Sequence, residues 1–184
     1  MAQSQFPLES SVNYISIDMT SESNRRHVFI SHHHADDAEV DKWTKLLSRG
    51  GYDIRNSSIR ALKPENQERI KQRKIRDEKI KLWHRKKISW AGTVVVLIGK
   101  ETHSRPWVDW EIEQANKQGK RIVGVYIHGG TEANKPEALE KYASAIVGWN
   151  TSRIMSAIDG SENLFQKPDG TLRPAVHEQT SLRC

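Results

Sequence analysis

The segment Trp107-Val108-Asp109-Trp110-Glu111-Ile112 sets a carboxylate one helical turn after an indole. Residues four apart on a helix are neighbours. Trp107 and Glu111 together can therefore hold a flat ring and a sugar beside a fixed negative charge. The segment follows the most apolar run of the chain, Thr93-Val94-Val95-Val96-Leu97-Ile98-Gly99, and begins next to Pro106. That order predicts a buried strand, a short polar loop and a helix.

Other residues able to do chemistry are few. His32-His33-His34 is suggestive of a metal site, but adjacent side chains on an extended segment alternate faces, and no second His at helical spacing or nearby Cys completes a set. No metal site is expected. Cys184, the sole cysteine, is the last residue, so no disulfide and no cysteine nucleophile is expected. Asp109 and Glu113 read as surface charges and Trp110 as a packing residue.

The elements that must position Glu111 are legible in outline. His27-Val28-Phe29-Ile30-Ser31 is short, β-branched and aromatic, the pattern of a buried strand. Val40, Trp43, Leu46 and Leu47 recur at helical spacing after Asp36-Asp37 and stop at Gly50-Gly51. Tyr52-Asp53-Ile54-Arg55 predicts a second strand, and Asn56-Ser57-Ser58 a turn. Residues 64–91 keep no single period, which predicts two helices or a kinked one. Residues 93–98 show no alternation, as in a parallel strand covered on both faces.

Pro106 suits a first helical turn, with Thr102 or Ser104 as its cap, Val108, Ile112 and Ala115 as the core stripe and Gly119 as the stop. A fourth strand at 121–127, a short helix at 136–142, a fifth strand at 145–147 and a closing helix at 152–158 follow. Strands alternating with helices predict an α/β domain of three layers around a parallel sheet. Ligands of such sheets sit at the carboxyl ends of the strands, beside the switch in strand order. The domain spans 26–158, between a polar extension at 1–25, with a short strand near Val12 to Ile17, and a loosely held tail at 159–184.

The 184 residues carry a net charge of +6. Residues 63–87 hold eleven Lys/Arg against four Asp/Glu, so the rest is close to neutral. No repeat, zinc spacing or aromatic interleaving accompanies this run, and a solvated helix face accounts for it better than nucleic-acid binding. No stretch approaches the ~18 apolar residues of a membrane span. The N-terminal stretch lacks the pattern of a signal peptide. A cytoplasmic protein is expected.

Phe29-Ile30-Ser31, Gly51-Tyr52-Asp53-Ile54, the run from Ser104 to Ile112 and Gly119-Lys120-Arg121-Ile122-Val123 together resemble a TIR-like domain, nearest to the bacterial Thoeris ThsB type. The resemblance implies a flavodoxin-like fold with a central five-stranded parallel sheet in the order 2-1-3-4-5. In enzymatic members it implies cleavage of NAD+ at the nicotinamide–ribose bond, with the glutamate four residues after the tryptophan as the catalytic group, here Glu111 after Trp107. It implies substrate contacts from the first-strand loop, here Ser31, His32, His33 and His34, and from the loop after the second strand, here Asn56 and Ser57, with Trp107 beside the ring. NAD+ is then substrate, and no further cofactor is expected. The implied product is an ADP-ribose-derived signal, linear or cyclic, that reaches a separate effector protein in antiphage defence. A phage-derived trigger and a homo-oligomer belong to the same expectation. The alternative within the family is a non-catalytic adaptor acting by self-association. A phosphoacceptor receiver fails on residues, because the third strand ends Ile98-Gly99-Lys100 without an aspartate, and a dinucleotide-binding Rossmann domain fails because the first strand leads into histidines and not a glycine-rich turn.

Overall fold

A computed structural model describes residues 26–33, 37–56, 65, 68, 69 and 77–174. The elements follow in the order β1 (Arg26–Ser31), α1 (Asp37–Arg49), β2 (Tyr52–Asn56), α2 (Asp77–Trp90), β3 (Thr93–Ile98), α3 (Pro106–Lys117), β4 (Arg121–Tyr126), α4 (Glu137–Tyr142), β5 (Ala145–Val147) and α5 (Thr151–Asp159). All strand pairs are parallel and the sheet order is β2-β1-β3-β4-β5. This is the parallel sheet expected from the strand–helix alternation, in the flavodoxin-like order that the TIR-like resemblance implied.

Each strand feeds two cores because successive side chains leave opposite faces. Val28, Ile30, Val95 and Leu97 meet Trp43 and Leu47 of α1 and Ile154 and Ile158 of α5. Phe29, Val94, Val96 and Ile98 meet Ile88 of α2, Val108 and Ile112 of α3 and Leu139 of α4. Every residue of β3 is buried, which explains its unbroken apolar run.

Helix α3 carries the Trp107–Glu111 segment and its ends are well specified. Pro106 occupies the first turn, where its missing N–H costs nothing. Lys120 N–H bonds Ala115 C=O at 3.0 Å and Gly119 N–H bonds Asn116 C=O at 2.9 Å, the paired closure that needs a left-handed residue, and Gly119 supplies φ +61°. The cap differs from expectation. Arg105 precedes the helix without a side-chain cap. Thr102 instead lies in a 3-10 turn and latches the exit of β3, its hydroxyl donating to Leu97 C=O at 3.1 Å and accepting from Gly99 N–H at 2.8 Å.

The basic region resolves into α2, with Glu65, Glu68 and Arg69 also helical. The expected strand near Val12 to Ile17 lies outside the described residues. The described part of the tail, to residue 174, is docked along its length from Leu164 to Arg173. Leu164 C=O accepts from Ile146 N–H at 2.8 Å, and Gln166 N–H donates to Ile146 C=O at 2.7 Å, so this segment covers the outer edge of β5. Phe165 is 5% exposed. A polar, Gly- and Pro-containing sequence concealed this docking because one aromatic and a set of backbone bonds carry it.

Gly130 marks a close approach to the exit of β3. A Cβ there would meet Ile98 C=O at 2.0 Å, and that carbonyl already accepts from Ile127 N–H. Gly130→Ala is expected to cost about 3 kcal/mol, the upper end for overpacking. Gly51→Ala, with φ +83° and open space around the new methyl, is expected to cost about 1 kcal/mol of backbone strain. Urea unfolding midpoints of the two variants check this ranking.

Candidate active site

Ser31 ends β1 and Glu111 lies on the second turn of α3, the helix that follows β3. β1 and β3 are neighbours, with Ser31 opposite Val96 in register. The chain leaves β1 towards β2 on one side and reaches β4 and β5 on the other, so this junction is the switch in strand order. Ser31 shares its face with Phe29, which packs under α2 and α3. The Ser31 hydroxyl thereby meets Glu111, donating to Oε2 at 2.5 Å.

The other carboxylate oxygen is also held. His84 Nδ1, from α2, lies 2.5 Å from Glu111 Oε1. Glu111 is 0% and His84 2% exposed. The imidazole sits edge-on to Phe29 at 6.3 Å and to Trp107 at 5.2 Å between ring centres, and Trp107 Nε1–H points at Nδ1 from 3.3 Å. Trp107 in turn lies 5.2 Å from Trp110. Lys87, one turn beyond His84, faces the same carboxylate. Burial pushes its ammonium below the usual lysine range, Glu111 draws it back up, and Arg55 pushes it down further.

A carboxylate with 0% exposure is ordinarily costly to keep. Here two donors converge on it from two elements, a hydroxyl of β1 and an imidazole of α2, with the Lys87 ammonium of α2 acting at longer range. Such a group is positioned to stabilise a developing positive charge, provided a substrate can displace one of the donors.

The expected residues fare differently. Ser31, Glu111 and Trp107 come together, Trp107 through His84. His32 and His33 are buried, and His33 Nδ1 lies 3.9 Å from Glu101 Oε2, so both are wall residues of the β1 loop. Asn56 ends β2 opposite Ile30, with its side chain outside the described set. His34 and Ser57 lie outside the described residues. Among the described residues no cluster of three His, Cys, Asp or Glu side chains is placed to hold a metal ion.

Two sequence expectations need correction. The core stripe was expected to be Val108, Ile112 and Ala115, yet Glu111 lies within it, between Val108 and Ile112, all buried. Asp109 was expected to be a surface charge. Its carboxylate accepts from Ala138 N–H at 3.1 Å at the start of α4, and burial lifts its pKa while that bond lowers it. Trp110 packs as expected, with Arg85 and Lys81 at 5.7 and 5.8 Å from its ring.

His84 was missed. The signal was present: Ile80, His84 and Ile88 share one helical stripe, with the only titratable group in its middle. A cavity of about 610 Å³ also opens at the carboxyl edge of the sheet, lined by Lys42 of α1, the turn after β4 and Trp149, but the Glu111 cluster does not line it. The buried, multiply bonded carboxylate and the open cavity are therefore separate features of this sheet edge. No helix among the described residues is long and apolar enough to cross a membrane.

No curated protein matches the chain. Among solved structures it is similar to the Clostridium botulinum CMP N-glycosidase BcmB, at 13% identity over 73% of this chain and 98% of that one, with a TM-score of 0.44. It is also similar to a prokaryotic SEFIR domain, at 15% identity over 74% of this chain and 89% of that one, with a TM-score of 0.42. The family described as Thoeris protein ThsB, TIR-like domain, matches residues 29–132, a stretch that contains Ser31, His84, Trp107 and Glu111. The chain belongs to this ThsB-type TIR-like family.

Proposed function

We propose that the protein cleaves NAD+ at the nicotinamide–ribose bond and makes an ADP-ribose-derived signal in antiphage defence. The observation that carries this reading is the Glu111 carboxylate, buried at the strand-order switch and gripped by Ser31 and His84. Breaking the C1′–N bond sends its electron pair to the pyridinium nitrogen, and nicotinamide leaves neutral. The ribosyl carbon is left as an oxocarbenium-like centre. Glu111 stabilises that charge, and a ribose hydroxyl takes the position that the Ser31 hydroxyl fills on Oε2. Water attacking C1′ gives ADP-ribose and releases one proton. Attack by an internal hydroxyl or a ring nitrogen gives a cyclic product. The product then acts on a separate effector.

The second reading is an adaptor that self-associates. It is favoured by one observation: both oxygens of Glu111 are occupied and no part of the carboxylate reaches solvent. Incubating the purified chain with NAD+, alone and with extract of phage-infected cells, separates the two. Nicotinamide release followed by chromatography, with mass spectrometry of the other product, is the expected result. Equal nicotinamide release by wild type and Glu111→Ala would exclude the assigned role. Full cellular protection by Glu111→Gln would establish the adaptor.

A further inference from the structure

We infer that His84 is a positioning residue that clamps one oxygen of Glu111 and fixes which oxygen the carboxylate presents. Two acceptors do not approach to 2.5 Å without a proton between them, so His84 Nδ1 and Glu111 Oε1 share one. Nδ1 has a single in-plane position for hydrogen bonding. With that position taken by Glu111, the Trp107 N–H at 3.3 Å on a near-perpendicular ring adds a dipole aimed at the imidazole and not a second full bond. Phe29 and Trp107 hold the ring by its edges. The imidazole therefore has neither room nor reason to turn.

The two bonds to Glu111 differ in kind. Ser31 offers a hydroxyl, which a sugar hydroxyl can replace group for group. His84 lies on the stripe Ile80–His84–Ile88 under the helix and cannot be exchanged for substrate without moving α2. The clamp thus assigns Oε1 to the protein and Oε2 to the ligand. A carboxylate free to rotate would spend part of its time with neither oxygen in register. The charged group facing the pair is Lys87 from α2, and the neutral donors beside it are the Ser31 hydroxyl from β1 and the Trp107 indole from α3.

The catalytic part of this inference rests on the NAD+ reading above, while the pairing does not. Nuclear magnetic resonance of the nitrogen-15-labelled full chain tests the pairing directly. A far-downfield proton bound to a His84 ring nitrogen is expected, moved strongly upfield in Glu111→Gln. Its absence from folded wild type overturns the clamp, whatever the activity. Its presence in a protein that does not consume NAD+ supports the clamp and removes the NAD+ reading.

Where wild type turns over, His84→Leu fills the space without a donor and is expected to lose about 10²-fold in kcat, the scale of a misplaced reacting group. KM changes little, because Oε1 does not touch substrate. His84→Asn places an amide N–H where Nδ1 stood and is expected to recover most of the loss. Wild-type kcat in His84→Leu, or no recovery in His84→Asn when both fold by circular dichroism, overturns positioning. If His84→Leu does not fold, the comparison of His84→Asn with wild type and the downfield proton decide it.

Discussion

Glu111→Gln is expected to abolish most NAD+ turnover while leaving the fold nearly intact, and Glu111→Ala to damage both. Removing a preorganised electrostatic group from a buried site costs about 10²–10³-fold in kcat. Both substitutions delete the negative charge, so both lose that. They differ in what they leave behind. The Gln carbonyl can accept from His84 Nδ1–H, and its amide can donate to Ser31 Oγ, so the hydrogen-bond positions at 2.5 Å keep partners. Ala strands a buried imidazole and a buried hydroxyl together with a cavity. Breaking a buried pair from one side costs about 3–5 kcal/mol. Nicotinamide release at saturating NAD+, set beside thermal unfolding of the same preparations, gives the two readouts. Turnover within tenfold of wild type in Glu111→Gln would remove Glu111 from the chemistry.

Much of this site was legible in the sequence, and the limit of legibility has a physical form. The Trp107–Glu111 spacing, the apolar 93–98 strand and the Pro106 and Gly119 punctuation are local, and local signals suffice to place α3 after β3. Ser31 came from the end of a recognisable strand. What the sequence leaves without support is a buried role for Glu111, although its face is readable. Val108, Glu111, Ile112 and Ala115 stand at i, i+3, i+4 and i+7, so the spacing itself puts Glu111 inside the core stripe. A charge in that position is discounted unless its partner is known, and the partner is 27 residues away on α2. His84 sits in a run dominated by lysines and arginines, and the charge of that run masks one buried ring. The same limit hid Asp109, whose partner Ala138 belongs to a helix later in the chain.

Loosening the docked tail through Phe165 is expected to cost a large share of the stability of the molecule. The edge of β5 would be a row of unpaired backbone groups if residues 164–166 did not lie along it. Phe165 plugs the core between Ile146 and the α4 side, and Phe165→Ala is expected to cost about 3–5 kcal/mol as an unfilled cavity. Arg173 closes the segment from outside. It donates to both oxygens of Glu140 at 3.0 and 3.1 Å, while its backbone N–H bonds Phe165 C=O at 2.8 Å. Lys135 holds the same carboxylate at 3.0 Å, so Arg173→Ala leaves Glu140 partnered and is expected to cost clearly less than Phe165→Ala. Burial raises the Glu140 pKa, but the bonds from Arg173 and Lys135 outweigh it and leave the carboxyl below its ordinary range. A depressed carboxyl contributes stability that is complete above its unfolded pKa and is lost as pH falls through the folded value. The clasp is therefore full at neutral pH and weakens only in acid, below the usual glutamate range. Urea midpoints measured at neutral pH and at descending acid pH check both statements: Phe165→Ala lowers the midpoint at every pH, while the deficit of Arg173→Ala against wild type shrinks as Glu140 is protonated. A deficit for Arg173→Ala that stays constant into acid would assign its effect to packing against Phe165, 5.6 Å from its guanidinium, and not to the ion pair.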